Sequence, residues 1–241
     1  MIPPNPSYTY NFVTPSAPRR RFSTSRRELL EIGIAYVVLT IDLAIILPQA
    51  SFLFSGSANL VPSVIGALTT PLFVAVAALA ALSGFIAHEL AHKFVAQSHG
   101  FWAEFRMYPT GLLLSFVTAL VGFLWAAPGA TVVSGMDPRD RANWGRTSLA
   151  GPMANVAFGT AFYLGAIGLY LVGSGLFSAL LLLAYINGWF GTFNLIPLGP
   201  LDGRKVLRWD RRAWVGSIVV CGTLAVAGLW AYSISTPLFV R

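Results

Sequence analysis

Long apolar segments recur along this chain and limit what it can fold into. At ~1.5 Å per residue in a helix, several of them are long enough to cross a hydrocarbon core of ~30 Å. They cover residues 29–47, 71–98, 147–172, 176–198 and 213–236. Only 10% of the residues are charged, against roughly a quarter in a soluble domain. Because a backbone in lipid must satisfy its own hydrogen bonds, the sequence predicts an all-α polytopic membrane protein with about five to six transmembrane helices.

The arginines concentrate at the ends of these apolar segments, in residues 19–27, 139–146 and 204–212. This arrangement explains the formal net charge of +7 without a nucleic-acid partner. Positive flanks are typical of the cytoplasmic side, so we expect a multi-pass protein of the cell membrane, in contact with the lipid bilayer and with a cytoplasmic N-terminus. The first apolar run begins near Leu29, which is late for a cleavable signal peptide and favours an uncleaved anchor. The sequence indicates no oligomeric state.

The chain divides into a short arm and one membrane domain. Residues 1–27 are rich in Pro, Ser and Arg, which predicts a mobile basic cytoplasmic arm. We expect residues 28–241 to form a single transmembrane domain with its core at about 68–206, and Pro48 to end the first helix. Both flanks of residues 100–146 are expected on the cytoplasmic side, so this segment crosses twice or not at all. We favour a small membrane-embedded β or re-entrant element: extended "FWAEFRMYP", an apolar helix, and "APGATVV" returning.

Two histidines and a glutamate interrupt the second apolar segment, in "HELAH" at residues 88–92. Ionisable side chains at membrane depth are costly and usually functional. His88 and His92 are four residues apart, so they share one helix face and both imidazoles can reach one metal ion. Glu89 stands next to the first histidine and can act as a general base toward water. The alternative is a pair of buried histidines bonded to each other or to backbone carbonyls.

A catalytic zinc ion usually has three protein ligands, so a third one must come from elsewhere in the chain. Most of the other carboxylates lie at helix ends or among arginines, and His99 or Glu104 would need the chain to fold back sharply. Asp202, in "FNLIPLGPLDGRKV", follows two prolines on irregular backbone just past the fifth apolar segment. The count of crossings puts it at the same depth as His92. We therefore expect one Zn²⁺ per chain, bound by both histidines and Asp202.

Three motifs together resemble a known family. "HELAH" at 88–92, "AGPMAN" at 150–155 and "NLIPLGPLDG" at 194–203 occur in the order found in the site-2 proteases, which are intramembrane zinc metalloproteases. The resemblance covers most of the chain from about residue 80 to residue 206. The sequence departs from common members of the family because it has no recognisable PDZ or nucleotide-sensing domain. It also adds the apolar segment 111–133 between the two halves of the metal site.

The resemblance implies a role for each site residue. The substrate would be a transmembrane-helix protein, cut within the membrane in regulated intramembrane proteolysis, with the active site toward the cytoplasmic side. Asn194 matches the family position that holds substrate or polarises the scissile carbonyl, although a bond to local backbone is the alternative for this residue. The family pattern also makes Glu89 the catalytic base and assigns the zinc ligands to His88, His92 and Asp202.

Other interpretations remain for parts of this pattern. We expect Gly151, Pro152 and Asn155 to serve helix packing, and the extended edge of "FWAEFRMYP" to clamp an opened substrate strand. A metal transporter or sensor without protease activity is the main alternative, but the apolar runs offer almost no polar path beyond Asp42. A catalytically inactive binding relative is disfavoured because Glu89 is present.

Overall fold

The computed structural model of the chain describes residues 22–55, 66, 68–124 and 128–235. Most of the expected arm, residues 1–21, therefore lies outside the described residues. The described part is mainly helical, as the sequence predicts. In chain order its elements are α1 (Arg26–Ser55), α2 (Pro71–Ser98), β1 (Trp102–Met107), α3 (Pro109–Leu120), β2 (Gly129–Ser134), α4 (Arg141–Leu171), α5 (Phe177–Asn194), α6 (Asp202–Trp209) and α7 (Arg211–Ile234).

Among the described residues, four helices are long and apolar enough to cross a membrane. They are α1 over Arg26–Leu47, and the whole of α2, α4 and α7. The expected span at 176–198 is the shorter helix α5, which carries Asn187 and Asn194 and is not among the four. It packs against both α4 and α7. The all-α polytopic class is confirmed, with four candidate spans where the sequence predicted five to six.

Helices α1 and α4 begin at local polar capping residues, and their ends do not coincide with the ends of the apolar runs. Ser25 accepts a hydrogen bond from the backbone N–H of Glu28 at 3.1 Å, which caps α1. The prediction that Pro48 ends α1 is wrong, because the helix continues to Ser55; proline is tolerated in membrane helices where other groups satisfy the freed backbone. Asp140 caps α4 by accepting from Asn143 N–H, and this bond lowers the pKa of the Asp140 carboxyl.

The segment between α2 and α4 contains the expected small β element and a short apolar helix. Strands β1 and β2 pair antiparallel, with Phe105 opposite Thr131 in the register. The apolar helix α3 connects them over Pro109–Leu120 and, with 12 residues, is too short to cross a bilayer. Because β1 packs against both α1 and α2, the small sheet lies beside the helix that carries both histidines.

Helix α2 is not α-helical throughout. Its middle segment, Ala81–Ile86, is a π-helix that ends two residues before His88. Segments of this kind are rare and occur often at functional sites. The carbonyl of Gly84, within this segment, accepts a hydrogen bond from the Asn155 side chain at 2.8 Å. The π-segment is therefore one of the points at which α4 is joined to α2.

The buried core lies between α1, α2, α5 and the sheet, and Leu39, Phe105 and Leu183 are among its most buried large side chains. Many large apolar side chains on the outside are exposed, including Leu171 at 77% and Val226 at 70%. A water-soluble domain rarely exposes so much contiguous apolar surface. This distribution agrees with a helical bundle whose outer surface faces lipid.

Candidate metal centre

The structure brings the two histidines of α2 and Asp202 of α6 to one point. Oδ2 of Asp202 lies 3.2 Å from Nε2 of His88 and 3.0 Å from Nε2 of His92. All three side chains are buried, and their candidate ligand atoms lie within 4.8 Å of one another. Residues 110 positions apart in the sequence, from His92 to Asp202, therefore meet as the sequence analysis expected.

The chain reaches Asp202 through a tight connection after α5. Gly199 has a φ of +51°, in the left-handed region that residues with a side chain rarely adopt. The backbone then enters α6, whose first residue is Asp202. The expectation that Asp202 stands on irregular backbone is therefore wrong: the connection ends at Leu201, and the aspartate occupies the first turn of a helix.

Hydrogen bonds on the far side of each ring orient the imidazoles. Nδ1 of His92 lies 2.7 Å from the carbonyl oxygen of Thr147, which can only accept, so Nδ1 carries the proton. Nδ1 of His88 lies 2.6 Å from Oδ1 of Asn155. The orientation of the Asn155 amide follows from its other end, because Nδ2 donates to the carbonyl of Gly84. Both Nε2 atoms are thereby directed toward Asp202, and the tautomer with its proton on Nδ1 is the one that binds a metal there.

We expected the "AGPMAN" motif to serve helix packing, and these contacts show that it also touches the metal-binding histidines. Asn155 is fully buried and bonds directly to His88. A Cβ atom at Gly151 would lie 2.5 Å from Nε2 of both histidines, so only glycine lets α4 approach the rings this closely. The contact between Asn155 and His88 could have been suspected from the sequence, because an asparagine within an apolar run is unusual. The contact of Thr147 uses its backbone, so no residue type could have revealed it.

The donor set fits zinc. Two imidazole nitrogens and one carboxylate are typical ligands of a catalytic zinc site, which keeps one position open for water or substrate. The ionised carboxylate of Asp202 would balance the charge of a bound cation among these buried groups.

Glu89 lies beside the ligands and is held by β2. Its Oε2 accepts a hydrogen bond from the backbone N–H of Thr131 at 2.7 Å, and the Thr131 hydroxyl donates to the carbonyl of Glu89 at 2.8 Å. No pattern in the sequence indicates this partner. Glu89 also faces a cavity of about 210 Å³. The polar side chains that line this cavity include those of Glu89, His92, Thr131, Asn194, Asp202 and Lys205.

Asn194 is the last residue of α5 and lines the same cavity. Its Nδ2 donates to the carbonyl of Phe190 at 3.0 Å, the local bond weighed as the alternative for this residue. His99 and Glu104, set aside as ligands, stand elsewhere: His99 is exposed, and Glu104 bonds to Arg106. The local bond neither supports nor excludes the catalytic role predicted for Asn194.

Comparisons with known proteins place the chain in a family. Putative zinc metalloprotease MJ0611 of Methanocaldococcus jannaschii is 38% identical over 135 residues, which are 55% of this chain and 69% of that protein. Two proteins of Mycobacterium tuberculosis, from strains Erdman and H37Rv and both named Putative zinc metalloprotease Rip3, are 31% identical over 182 residues. These residues are 69% of this chain but only 42% of each Rip3 protein. No family model and no solved structure matches the chain significantly.

The named relatives, together with the buried His–His–Asp cluster, indicate a zinc metalloprotease, and the candidate spans give it the features of a membrane protein. With these relatives, and with the three motifs described above, the chain belongs to the site-2 protease family. Zinc is the metal in the names of these relatives, and it is also the metal that the His–His–Asp donor set fits.

Replacing Gly151 by alanine should disrupt the metal site directly. The added methyl group meets both Nε2 atoms, so the rings must move and zinc content measured by mass spectrometry of the purified protein should fall at least about tenfold. Gly168→Ala is the matched control, because a Cβ at this position of the same helix meets nothing within 4 Å. Full zinc content in Gly151→Ala would contradict the assignment of the ligands.

Replacing Asn155 by leucine should weaken zinc binding while the ligands stay in place. His88 then loses the partner of its Nδ1 atom, and loss of such a partner typically costs about 10- to 100-fold in metal affinity. Competition with a zinc chelator measures the affinity. Asn187→Leu is the control, since Asn187 bonds to Asn155 but to neither histidine, and its loss should change the affinity less. Equal effects of both variants would argue that Asn155 acts only through packing.

Proposed function

We propose that this zinc metalloprotease hydrolyses peptide bonds within the transmembrane segments of other membrane proteins, in regulated intramembrane proteolysis. The observation that carries the proposal is the position of Glu89. Its carboxylate lies beside the His–His–Asp cluster, faces the shared cavity, and belongs to a helix long enough to span a membrane. A substrate cut at this site would itself have to reach into the bundle, as a transmembrane helix can.

Each residue of the site has a role in this reaction. His88, His92 and Asp202 would hold the zinc ion, which supplies Lewis acidity that activates water and polarises a carbonyl. Glu89 takes a proton from the attacking water and passes it to the leaving amine. Its Oε2 is bound by Thr131 N–H, which leaves Oε1 for the proton. The Thr131 bond also keeps the carboxylate from turning away from the cavity.

Asn194 is the candidate donor to the developing oxyanion. A primary amide has two N–H groups, and the bond to Phe190 uses one of them. The second N–H is available for a substrate oxygen in the cavity that Asn194 shares with Glu89 and Asp202. The local bond to Phe190 then orients the amide and does not compete with its catalytic role.

An opened substrate strand could bind by adding to a free edge of the small sheet. The outer edge of β1 is occupied, because Glu28 accepts from the N–H of Phe105 and Glu31 accepts from the N–H of Met107. The expected clamp on "FWAEFRMYP" is therefore not available there. The other strand, β2, lines the cavity with residues 129–131 and with Val133. The N–H of Thr131 on this edge is already bound to Glu89. We therefore assign strand addition to the rest of the β2 edge, where an extended segment would pass next to Glu89.

The positions of the arginines support a proposal for the orientation in the membrane. Contacts gather the start of α1, the end of α2, and the starts of α4 and α7 at one end of the bundle; for example, Lys93 pairs with Glu28, and Arg146 lies 6.0 Å from the ring of Trp209. The arginine-rich segments 139–146 and 204–212 belong to this end. Positive flanks favour the cytoplasmic side, so we propose that the N-terminus is cytoplasmic and that the active site opens toward that side of the cell membrane.

Glu89→Gln tests the proposal. The glutamine keeps the shape of the side chain and an acceptor for Thr131 but cannot accept a proton, so cleavage should fall at least about 10²- to 10⁴-fold. The assay follows a purified, tagged single-span substrate by gel, with zinc content measured in the same sample. Asp137→Asn, an exposed carboxylate outside the cavity, is the control and should cleave normally. Persistent cleavage would refute the assigned base, and metal transport into vesicles by the variant would favour the transporter.

Asn194→Ala tests the oxyanion donor. Loss of one such donor typically lowers kcat by about 10²- to 10³-fold, and KM should change little because the bond strengthens in the transition state. Thr192→Ala is the matched control in the same last turn of α5, since its hydroxyl bonds to the carbonyl of Gly188 and does not line the cavity. An increase in KM with unchanged kcat would show that Asn194 only binds substrate.

A further inference from the structure

A buried ion pair lies one residue beyond the metal ligands of α2. The Lys93 ammonium lies 2.6 Å from Oε2 of Glu28, in the first turn of α1. Glu28 is fully buried and Lys93 is 6% exposed. Lys93 also donates to the hydroxyl of Thr24 at 2.9 Å. Charged side chains with so little exposure are rare unless they are paired, and the mechanism described above uses neither of them.

The second oxygen of Glu28 connects this pair to the sheet. Oε1 accepts from the backbone N–H of Phe105 at 2.9 Å. Phe105 is the register partner of Thr131, whose own N–H donates to Glu89. One pair of opposed residues in the sheet is therefore held at both outer edges by a carboxylate, Glu28 on the β1 side and Glu89 on the β2 side.

The contacts close into a circuit. Glu89 and Lys93 are four residues apart on α2, so they lie on the same face of that helix. From Lys93 the path runs through Glu28 to β1, across the strand pair to β2, and back to α2 at Glu89. Moving the sheet relative to α2 would break at least one of these contacts. The contact at Glu89 matters for the reaction because Glu89 is the proposed base.

Stability alone is a weak reason for such a pair. Removing two charges from water is costly, and apolar residues of similar size often stabilise a protein as well or better. The neighbouring residue Glu31 provides a comparison within the same helix turn. It accepts from the N–H of Met107 on β1 in the same way, but its charged partner is the exposed Arg27 of α1 and not a residue of α2.

We propose that Glu28 and Lys93 are positioning residues for the catalytic base. They fix the sheet against the metal-binding helix, so that Thr131 holds the Glu89 carboxylate at the cavity. The proposal rests on the proposed function, since it concerns the base of that reaction. A displacement of a catalytic group by about 1 Å can cost about 10²-fold in rate, so the effect on cleavage should be large.

The decisive variant is the double substitution Glu28→Gln/Lys93→Met. It leaves no unpaired buried charge, and the introduced glutamine keeps an acceptor for the N–H of Phe105, so the fold should persist while the link between α1 and α2 is lost. We expect kcat for the tagged single-span substrate in detergent micelles to fall about 10- to 100-fold, with KM and zinc content unchanged. Glu31→Gln is the matched control and should keep kcat within about twofold, because it disturbs the edge of β1 without touching α2.

A second measurement does not depend on activity. Hydrogen–deuterium exchange of the zinc-loaded double variant should rise in residues 102–107 and 129–134 relative to Glu31→Gln. Wild-type kcat in the double variant, or unchanged exchange in both strands, would overturn the positioning role. Joint loss of folded protein, zinc and activity in the double variant would also overturn it, since the pair would then serve stability. If the wild-type protein cleaves no transmembrane substrate, the proposed function fails, and the exchange measurement still decides whether the pair holds the sheet.

Discussion

The orientation of two imidazole rings inside an apolar bundle is the constraint on which this structure depends. A histidine can present a lone pair to a metal only if its other nitrogen keeps the proton, and for two buried rings the protein must supply the partner of that proton. The protein supplies both partners from α4, as the carbonyl of Thr147 and the amide of Asn155. The close approach of α4 to α2, the glycine at position 151 and the bond to the π-segment all follow from this requirement.

Much of the fold can be predicted from patterns that are local in the sequence. The positions of four candidate spans, the shared face of His88 and His92 and the small β element between α2 and α4 could all be predicted, because each depends on spacing, hydropathy or the count of crossings. Ends of helices were less predictable. Asp140 starts α4 by capping it, ahead of the apolar run, and α1 continues past Pro48. The polar residues of α5 explain why one expected span is a shorter, internal helix.

The residues that sequence reasoning missed share one property: their contacts join elements that are distant in the sequence. Thr131 reaches Glu89 from β2, and Glu28 reaches both Lys93 and Phe105 from α1. In the sequence, Glu28 is only a charge at a helix end. Its burial is decided by where the sheet packs, and neither composition nor spacing along one segment contains that information. Asp202 was predictable because so few other carboxylates could stand near the histidines.

The π-helical segment Ala81–Ile86 divides α2 into two halves that face different surroundings. A π-turn accommodates one residue more than an α-turn, and each residue of an α-helix turns the face by about 100°. The half that begins at Pro71 can therefore present one side to its neighbours while the half with His88 presents another to the metal. In evolution, loss of a single residue there would close the wider turn into a regular α-helix, with the two faces kept in place and the span still long enough for the bilayer.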